Sequence, residues 1–265
     1  MVSNIDLEED IKNFYQTDEY IIKNPSLHEE DSPWKVSKII PLLDRFVEYN
    51  NQYEINLLDV GGGAGLILNA VSIYLKKKYN INVKKNALDL SPGMLKIQKK
   101  RNPDLNKALN EDIRKTSLGE KEMDLTLMID ILEHVPNPVE ALDEVKRISN
   151  FVIFKVPLED NFLERIRNVV KGGKRRRSMI ETFGHINIYN FMKLKYHIEK
   201  HTGQVLEYYF TNSAHEHLTH YKNKMKKISR FINFVASYLF RISPKLCSLI
   251  FSDDVMILAR CYNVL

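Results

Sequence analysis

Four glycines within five residues, in the segment LLDVGGGAGLI at 57–67, constrain the fold of this chain more than any other feature. The apolar residues before them predict a buried β-strand, and the residues after them predict a helix over 64–79. Glycine adopts backbone conformations that other residues avoid, and it lets another group approach the backbone closely. A strand, a glycine-rich turn and a helix in this order are typical of nucleotide-binding α/β domains.

Strands and helices continue to alternate beyond this turn. The predicted strands lie at 55–60, 81–90, 106–112, 123–130, 150–158, 204–212 and 253–262. The predicted helices lie at 64–79, 91–101, 137–149, 189–203 and 222–243, with Gly203 ending the fourth. This alternation favours a mostly parallel sheet with helices on both faces. We therefore predict a single α/β domain over residues 1–265.

Three regions outside the regular alternation predict additions to this domain. Residues 1–50 are expected to form an N-terminal helical cap, in which Ser32 can cap a helix and Pro41 can kink or divide it. Residues 158–190 and 213–253 are predicted insertions or lids after the fifth and sixth strands. We expect residues 1–35 of the cap, together with the two insertions, to form the pocket of the acceptor.

The spacing of the glycines excludes the dinucleotide fingerprint G-x-G-x-x-G. Counted from Gly61 or from Gly63, the last glycine of that pattern would fall on a leucine. The pattern present is Asp59-x-Gly61-x-Gly63-x-Gly65, which resembles the first motif of class I S-adenosylmethionine-dependent methyltransferases. In that family the turn packs against the methionine and ribose parts of the cofactor, and the acidic residue is thought to organise it.

Later positions resemble the same family in the same order. Asp89, at the end of the second predicted strand, can accept both ribose hydroxyls, and Leu90 and Met94 in LSPGM would lie near the adenosine. In EDI, Asp112 would meet the adenine amino group and Ile113 would cover the ring. Asp89 and Asp112 could alternatively be helix caps.

The resemblance covers residues 55–157 and implies S-adenosylmethionine as the cofactor. It also implies a Rossmann-like sheet of seven strands in the order 3-2-1-4-5-7-6, with the last strand antiparallel. The broad group that the chain resembles contains the ubiquinone and menaquinone methyltransferases.

Two acids and a histidine follow the fourth predicted strand, in LMIDILEHVPNP. Asp130-x-x-Glu133-His134 resembles the E-x-x-E-H segment of ubiquinone-biosynthesis O-methyltransferases, where these side chains are associated with a divalent cation. An oxygen nucleophile needs a base to take its proton or a metal to lower its pKa. We predict Glu133, His134 and His185 as catalytic candidates, with His185 supplied by ETFGHINIYN.

Several roles remain open for these candidates. His134 could be a general base, a metal ligand or a structural residue. His185 could be a second base, could complete a metal set with Glu133 and His134, or could bond only to backbone. Because Asp130 stands where the resembled segment has a glutamate, we predict no metal ligands and keep a divalent cation as the less favoured alternative.

The segment HEEDSPWK at 28–35 supplies two further candidates. The resemblance implies that Lys35 could pair with the carboxylate of the cofactor and that Trp34 could form a wall of the pocket. A solvated Lys35 and a core Trp34 are the alternatives. Asp130 is expected to face the cofactor.

Two basic segments leave the partner open. KGGKRRR at 171–177 suits an anionic acceptor, a membrane surface or RNA, or is a solvated loop. Residues 222–243 combine basic and apolar residues, and this helix could pack on the sheet, form a dimer contact or lie at a membrane surface. Nucleic acid is not expected, because no RNA-binding module is recognisable.

The function hypothesis is methylation, at oxygen, of a small-molecule or glycan-type acceptor, with an anionic or a lipid-linked acceptor as options. The alternatives are an RNA ribose 2′-O-methyltransferase and a non-catalytic regulatory protein that binds S-adenosylmethionine. No secretory signal or stretch of 18 apolar residues is evident. We therefore expect a cytoplasmic protein, with peripheral membrane contact through 222–243 as an option.

Overall fold

The computed structural model describes residues 15–17, 21–22, 27, 29–220 and 225–263, and its centre is a seven-stranded sheet. The strands are β1 (Glu54–Val60), β2 (Asn82–Leu88), β3 (Lys107–Leu109), β4 (Met123–Ile129), β5 (Ser149–Leu158), β6 (Gly203–Phe210) and β7 (Asp253–Cys261). Their order, β3-β2-β1-β4-β5-β7-β6, confirms the prediction. β7 is antiparallel to β5 and β6, and the other neighbouring strands are parallel.

Helices cover both faces of the sheet. They are α1 (Ser32–Tyr49), α2 (Leu66–Tyr79), α3 (Pro92–Arg101), α4 (Pro138–Ile148), α5 (Phe162–Val170), α6 (Lys174–Phe183), α7 (Phe191–His201), α8 (Ser213–His220), α9 (Lys227–Ile242) and α10 (Pro244–Ile250). A 3₁₀ turn at Glu29–Asp31 precedes α1. Helices α1, α2 and α3 contribute to one core cluster, and α4 and α7 contribute to the other.

Strand β1 shows how the sequence produces a sheet that is buried on both faces. Successive side chains of a strand point to opposite faces, so Leu57 joins the cluster with α1 and α2 while Leu58 joins the cluster with α4 and α7. The continuous apolar run therefore fills two cores. It ends at Val60, where β2 lies on one side of β1 and β4 on the other. Ligands of such sheets bind in the crevice at this reversal of strand order.

Helix α1 differs from the prediction at two positions. It continues unbroken through Pro41, and Ser32 is its first residue, with Asp31 at the N-cap position. Proline removes one backbone N–H, but Ile39 and Leu42 anchor the helix in the core on both sides of it. This packing outweighs the lost bond. Most of the predicted cap before α1 lies outside the described residues.

Gly203 begins β6 rather than ending the helix before it, because α7 already ends at His201. A Cβ on Gly203 would lie 1.9 Å from the carbonyl oxygen of Arg260. The close approach of β7 therefore explains this glycine better than a helix end does. Two helices in the region 213–253, α8 and α10, were not predicted.

Candidate functional site

The glycine turn joins β1 to α2 through backbone conformations that other residues rarely adopt. The φ angles are +58° at Gly61, +54° at Gly63 and +76° at Gly65. At Gly62 the reason is space, since a Cβ there would lie 2.1 Å from Oδ2 of Asp59. The turn thus lies directly on a buried carboxylate.

Asp59 and Gly65 shape this turn but do not line the cavity next to it. Asp59 is buried beneath the turn, and the carbonyl oxygen of Gly65 accepts a hydrogen bond of 3.1 Å from Nδ2 of Asn102. We predicted direct cofactor binding for both residues. Their positions instead suit an indirect role, because each fixes the backbone that faces the ligand.

A cavity of about 150 Å³ opens at the carboxyl ends of β1, β2 and β4. The predicted residues that line it are Gly61, Gly63, Asp89, Leu90, Met94, Asp112, Ile113, Asp130 and His134. Sequence reasoning missed Tyr15, Arg114, Ile131 and Pro136, which also line it. Ile131 and Pro136 belong to the segment after β4 that resembles a family motif, so a signal for them was present. Ile131 also requires a glycine opposite, since its Cδ1 would lie 2.5 Å from a Cβ on Gly61.

Asp89 places a carboxylate in the wall of this cavity. Its Oδ1 accepts the backbone N–H of Ser91 at 2.9 Å, and Ser91, not Asp89, caps α3. Burial raises the pKa of Asp89 to about 7. Burial, followed by the charge of Asp89, raises the pKa of Asp59 to about 7. Hydroxyl donors from a ligand would replace the water that burial has removed from Asp89, so this carboxylate suits a polyhydroxylated group.

Asp112 lines the cavity with its carboxylate already engaged. Nε of Arg114 lies 3.1 Å from each carboxylate oxygen, and Nη2 lies 2.7 Å from Oδ2. An adenine amino group would have to share this carboxylate with Arg114. Ile113, which is buried next to it, offers the apolar surface that a base plane needs.

Asp130 also lines a second cavity, of about 1080 Å³. Trp34 and Lys35 line this second cavity and not the first, which differs from the predicted contact of Lys35 with the cofactor. Nζ of Lys35 lies 3.1 Å from both Asp31 and Asp130, and Nζ of Lys155 lies 2.6 Å from Asp130. These ion pairs hold Lys35 away from the first cavity, and the two lysines lower the pKa of Asp130 against the effect of burial.

The three catalytic candidates come together beside these cavities. The ring centroids of His134 and His185 are 4.9 Å apart, and one ligand atom each of Glu133, His134 and His185 lies within 4.8 Å of the others. Nδ1 of His134 donates to the carbonyl oxygen of Gly184 at 3.1 Å, and Nδ1 of His185 donates to Glu159 at 2.8 Å. Because carbonyl and carboxylate oxygens only accept, the neutral form of each ring carries its lone pair on Nε2.

This cluster has the chemistry of a cation site. Oε2 of Glu133 is buried and has no hydrogen-bond partner among the described residues. Burial, followed by the nearby His185, lowers the pKa of His134 to about 4, so its ring is neutral at neutral pH. Two imidazoles and a carboxylate suit a divalent cation. Asp130 is not one of these ligands, because Lys35 and Lys155 hold its carboxylate. The geometry therefore supports a divalent cation, which was the less favoured alternative from the sequence.

The basic run KGGKRRR has a structural task that its sequence does not reveal. Nε of Arg175 donates to Glu164 at 2.7 Å. Arg176 donates to the carbonyl oxygens of His185 and Ile186 at 2.9 and 2.5 Å. Arg176 therefore holds the turn that carries His185, while Arg175 pairs with Glu164 of α5, and neither guanidinium is displayed for an anionic ligand.

Comparison with known proteins identifies the central part of the chain. Residues 58–150 match the family described as "Methyltransferase domain". No curated protein matches the sequence significantly. Among solved structures, a Galdieria sulphuraria protein provisionally named a sarcosine dimethylglycine methyltransferase matches with a TM-score of 0.57 at 13% identity, over 88% of this chain and 85% of that one.

Two further solved structures carry the cofactor or its product. Phosphoethanolamine N-methyltransferase 2 from Haemonchus contortus, in complex with S-adenosyl-L-methionine, has a TM-score of 0.53 at 12% identity, over 85% of this chain and 52% of that one. Geranyl diphosphate C-methyltransferase from Streptomyces coelicolor A3(2), in complex with Mg²⁺, geranyl-S-thiolodiphosphate and S-adenosyl-L-homocysteine, has a TM-score of 0.53 at 12% identity, over 80% of this chain and 71% of that one. At these identities the likeness concerns the fold.

The family match over 58–150 covers the glycine turn, Asp89 and the segment after β4, which together with Tyr15 line the first cavity. The strand order is the one that the class I resemblance implied. The further resemblance to the ubiquinone and menaquinone group stays a prediction. The chain is an S-adenosylmethionine-dependent methyltransferase with the class I fold.

Proposed function

We propose that the chain transfers a methyl group from S-adenosylmethionine to a hydroxyl group of a small, polyhydroxylated acceptor. The observation that carries this proposal is the pair of Nε2 lone pairs, on His134 and His185, between the two cavities. His134 lines the first cavity, and Glu159, the partner of His185, lines the second. If the first cavity takes the cofactor and the second takes the acceptor, the methyl group and the acceptor oxygen meet near these rings.

The charges of the second cavity favour an acceptor with many donors. Its acidic lining residues are Glu30, Asp31, Asp130, Glu159, Glu216, Asp253 and Asp254. Its lysines, Lys35 and Lys155, are both in ion pairs with these acids. Carboxylates accept hydrogen bonds from hydroxyl groups and repel phosphates. This lining supports a glycan-type acceptor and weighs against the anionic acceptor and the RNA alternative.

Methyl transfer to oxygen requires alignment of the oxygen with the methyl group and removal of its proton. Nε2 of either histidine can accept that proton, and Glu159 would stabilise a protonated His185 through Nδ1. Glu133, His134 and His185 could instead hold a divalent cation, which would lower the pKa of the acceptor hydroxyl. Both routes place the deprotonated oxygen at the same point.

In the test, the protein is incubated with S-adenosylmethionine that carries a tritiated methyl group and with the small-molecule fraction of a cell extract. We expect label in a hydrophilic product that resists mild base, as a methyl ether does. His134→Ala and His185→Ala should each lower this transfer about a hundredfold or more, while cofactor affinity by calorimetry stays within about threefold. His201→Ala, on the outer helix α7, is the matched control. Dialysis against a chelator, followed by Mg²⁺ or Mn²⁺, separates the base route from the cation route.

Other outcomes would favour the alternatives. Label in material that ribonuclease degrades would support RNA methylation. Cofactor binding without transfer to any acceptor would support a regulatory protein. Label in an amine product would contradict transfer to oxygen.

A further inference from the structure

Helix α9 exposes an apolar face that nothing in the described structure covers. Ile228, Phe231, Phe234, Tyr238 and Ile242 are each between 63% and 69% exposed. They recur every three or four residues, so they lie on one face of the helix. The opposite face already packs on the protein through the buried Ala236 and Ser237. The exposed face is therefore not needed for the packing of α9, and contiguous apolar surface of this kind marks an interaction site.

The neighbouring helices extend this surface. Helix α10 contacts both α9 and α5. On α10, Leu246 and Leu249 are exposed, and on α5, Phe162, Val169 and Val170 are exposed. Three adjacent helices thus present large apolar side chains to solvent, and we refer to α5, α9 and α10 together as the apolar platform.

Two segments of the apolar platform are rich in basic residues. Between residues 217 and 252 the sequence has seven Lys and Arg and no Asp or Glu, and the same is true between residues 165 and 180. Lys226 and Lys227 are exposed at the start of α9, and Lys171 and Lys174 are exposed just after α5. Four of these arginines already have partners in the protein: Arg165 bonds to Asp160, Arg167 and Arg175 bond to Glu164, and Arg176 bonds to backbone carbonyl oxygens.

We propose that the apolar platform docks the protein on an anionic lipid surface, with its apolar side chains in the interface and its lysines among the headgroups. Basic residues next to a membrane are attracted to anionic lipids, and apolar helix faces bury themselves at the headgroup boundary. None of the helices in the described residues is long and apolar enough to cross a membrane, so the contact is interfacial. A second copy of the chain fits less well, because a two-fold contact would bring these lysines together.

The test is flotation of the full chain with vesicles of phosphatidylcholine alone, or with about 30% phosphatidylglycerol added. We expect binding to the anionic vesicles. Phe231→Ser combined with Phe234→Ser should lower the partition coefficient about tenfold or more, and Lys226→Glu combined with Lys227→Glu should lower it on anionic vesicles only. The matched control is Tyr53→Ser with Met192→Ser, which removes exposed apolar side chains elsewhere and should bind as the wild type does.

Retained binding of S-adenosylmethionine shows that each variant is folded, and none of these readouts depends on the identity of the acceptor. The proposal is overturned if the wild type does not float with anionic vesicles, or if the phenylalanine pair and the control pair float equally. It is also overturned if light scattering shows a dimer that Phe231→Ser and Phe234→Ser dissociate, without vesicle binding. That result would assign the platform to a second copy.

Discussion

Among single residues, Asp89 is the one on which we expect cofactor affinity to depend most. Asp89→Asn keeps an acceptor for the N–H of Ser91 but removes the charge that would accept the ribose hydroxyls. Hydrogen bonds to charged groups contribute about 1.5–3 kcal/mol each, so the affinity measured by calorimetry should fall about 10- to 100-fold. Asp143→Asn, which removes an exposed carboxylate next to His201, should not change it. Full affinity in Asp89→Asn would place the ribose elsewhere.

The pKa of Asp89 also predicts a dependence on pH. This pKa is about 7 in the free protein, whereas ribose hydroxyls would bind the ionised form. Cofactor binding should therefore release a proton, and affinity should rise from about pH 6 to about pH 8. Calorimetry in buffers of different ionisation enthalpy counts that proton. Affinity that does not change with pH, with no proton released, would contradict this prediction.

The stability of the free protein should change with pH in the opposite direction. The folded-state pKa values of Asp59 and Asp89 are raised from 3.8 to about 7. The free energy of unfolding should therefore be highest below the unfolded value and should decline as pH rises towards 7. Asp89→Asn should flatten this decline in denaturant unfolding. An unchanged decline would mean that other groups cause it.

Among the elements, the turn between β1 and α2 tolerates the least change of backbone. Gly62→Ala would place a Cβ 2.1 Å from Oδ2 of the buried Asp59, so the turn must move. We expect a loss of about 1–3 kcal/mol in the free energy of unfolding and a loss of cofactor binding. Gly119→Ala is the control, because its Cβ would lie 3.4 Å from the Glu122 side chain, and it should cost no more than about 0.5 kcal/mol. Equal effects of the two substitutions would refute the steric explanation.

The elements also show which parts of the structure a sequence can predict. The apolar run of β1 and the glycine spacing are local patterns, so both the sheet and the first cavity could be predicted. Arg176 contacts the carbonyl oxygen of His185 only because α6 folds back over that turn, and no spacing indicates it. The ion pair of Lys35 with Asp130 joins distant segments, so the sequence suggested a cofactor contact instead.

Across the whole molecule, Asp130 connects helix α1 to β5 and, through Lys155, to β7. It follows β4, adopts a φ of +57° and pairs with Lys35 of α1 and Lys155 of β5. Lys155 in turn pairs with Asp254 of β7 at 3.2 Å. This chain of charges separates the two cavities and fixes α1 against the carboxyl end of the sheet. Its members should therefore affect stability and the acceptor cavity more than cofactor binding.

Lys35→Met tests this assignment against the cofactor contact that the sequence suggested. The substitution leaves Asp130 paired with Lys155, so the loss of stability is smaller than for a buried charge without a partner. We expect the free energy of unfolding to fall by about 1–3 kcal/mol. Cofactor affinity should stay within about twofold, because Lys35 lines the second cavity only. Lys38→Met, one turn along the same helix with its Nζ 5.7 Å from the Trp34 ring centroid, should cost about 1 kcal/mol or less. A tenfold loss of affinity in Lys35→Met with unchanged stability would restore the direct contact with the cofactor and refute the role in the charge network.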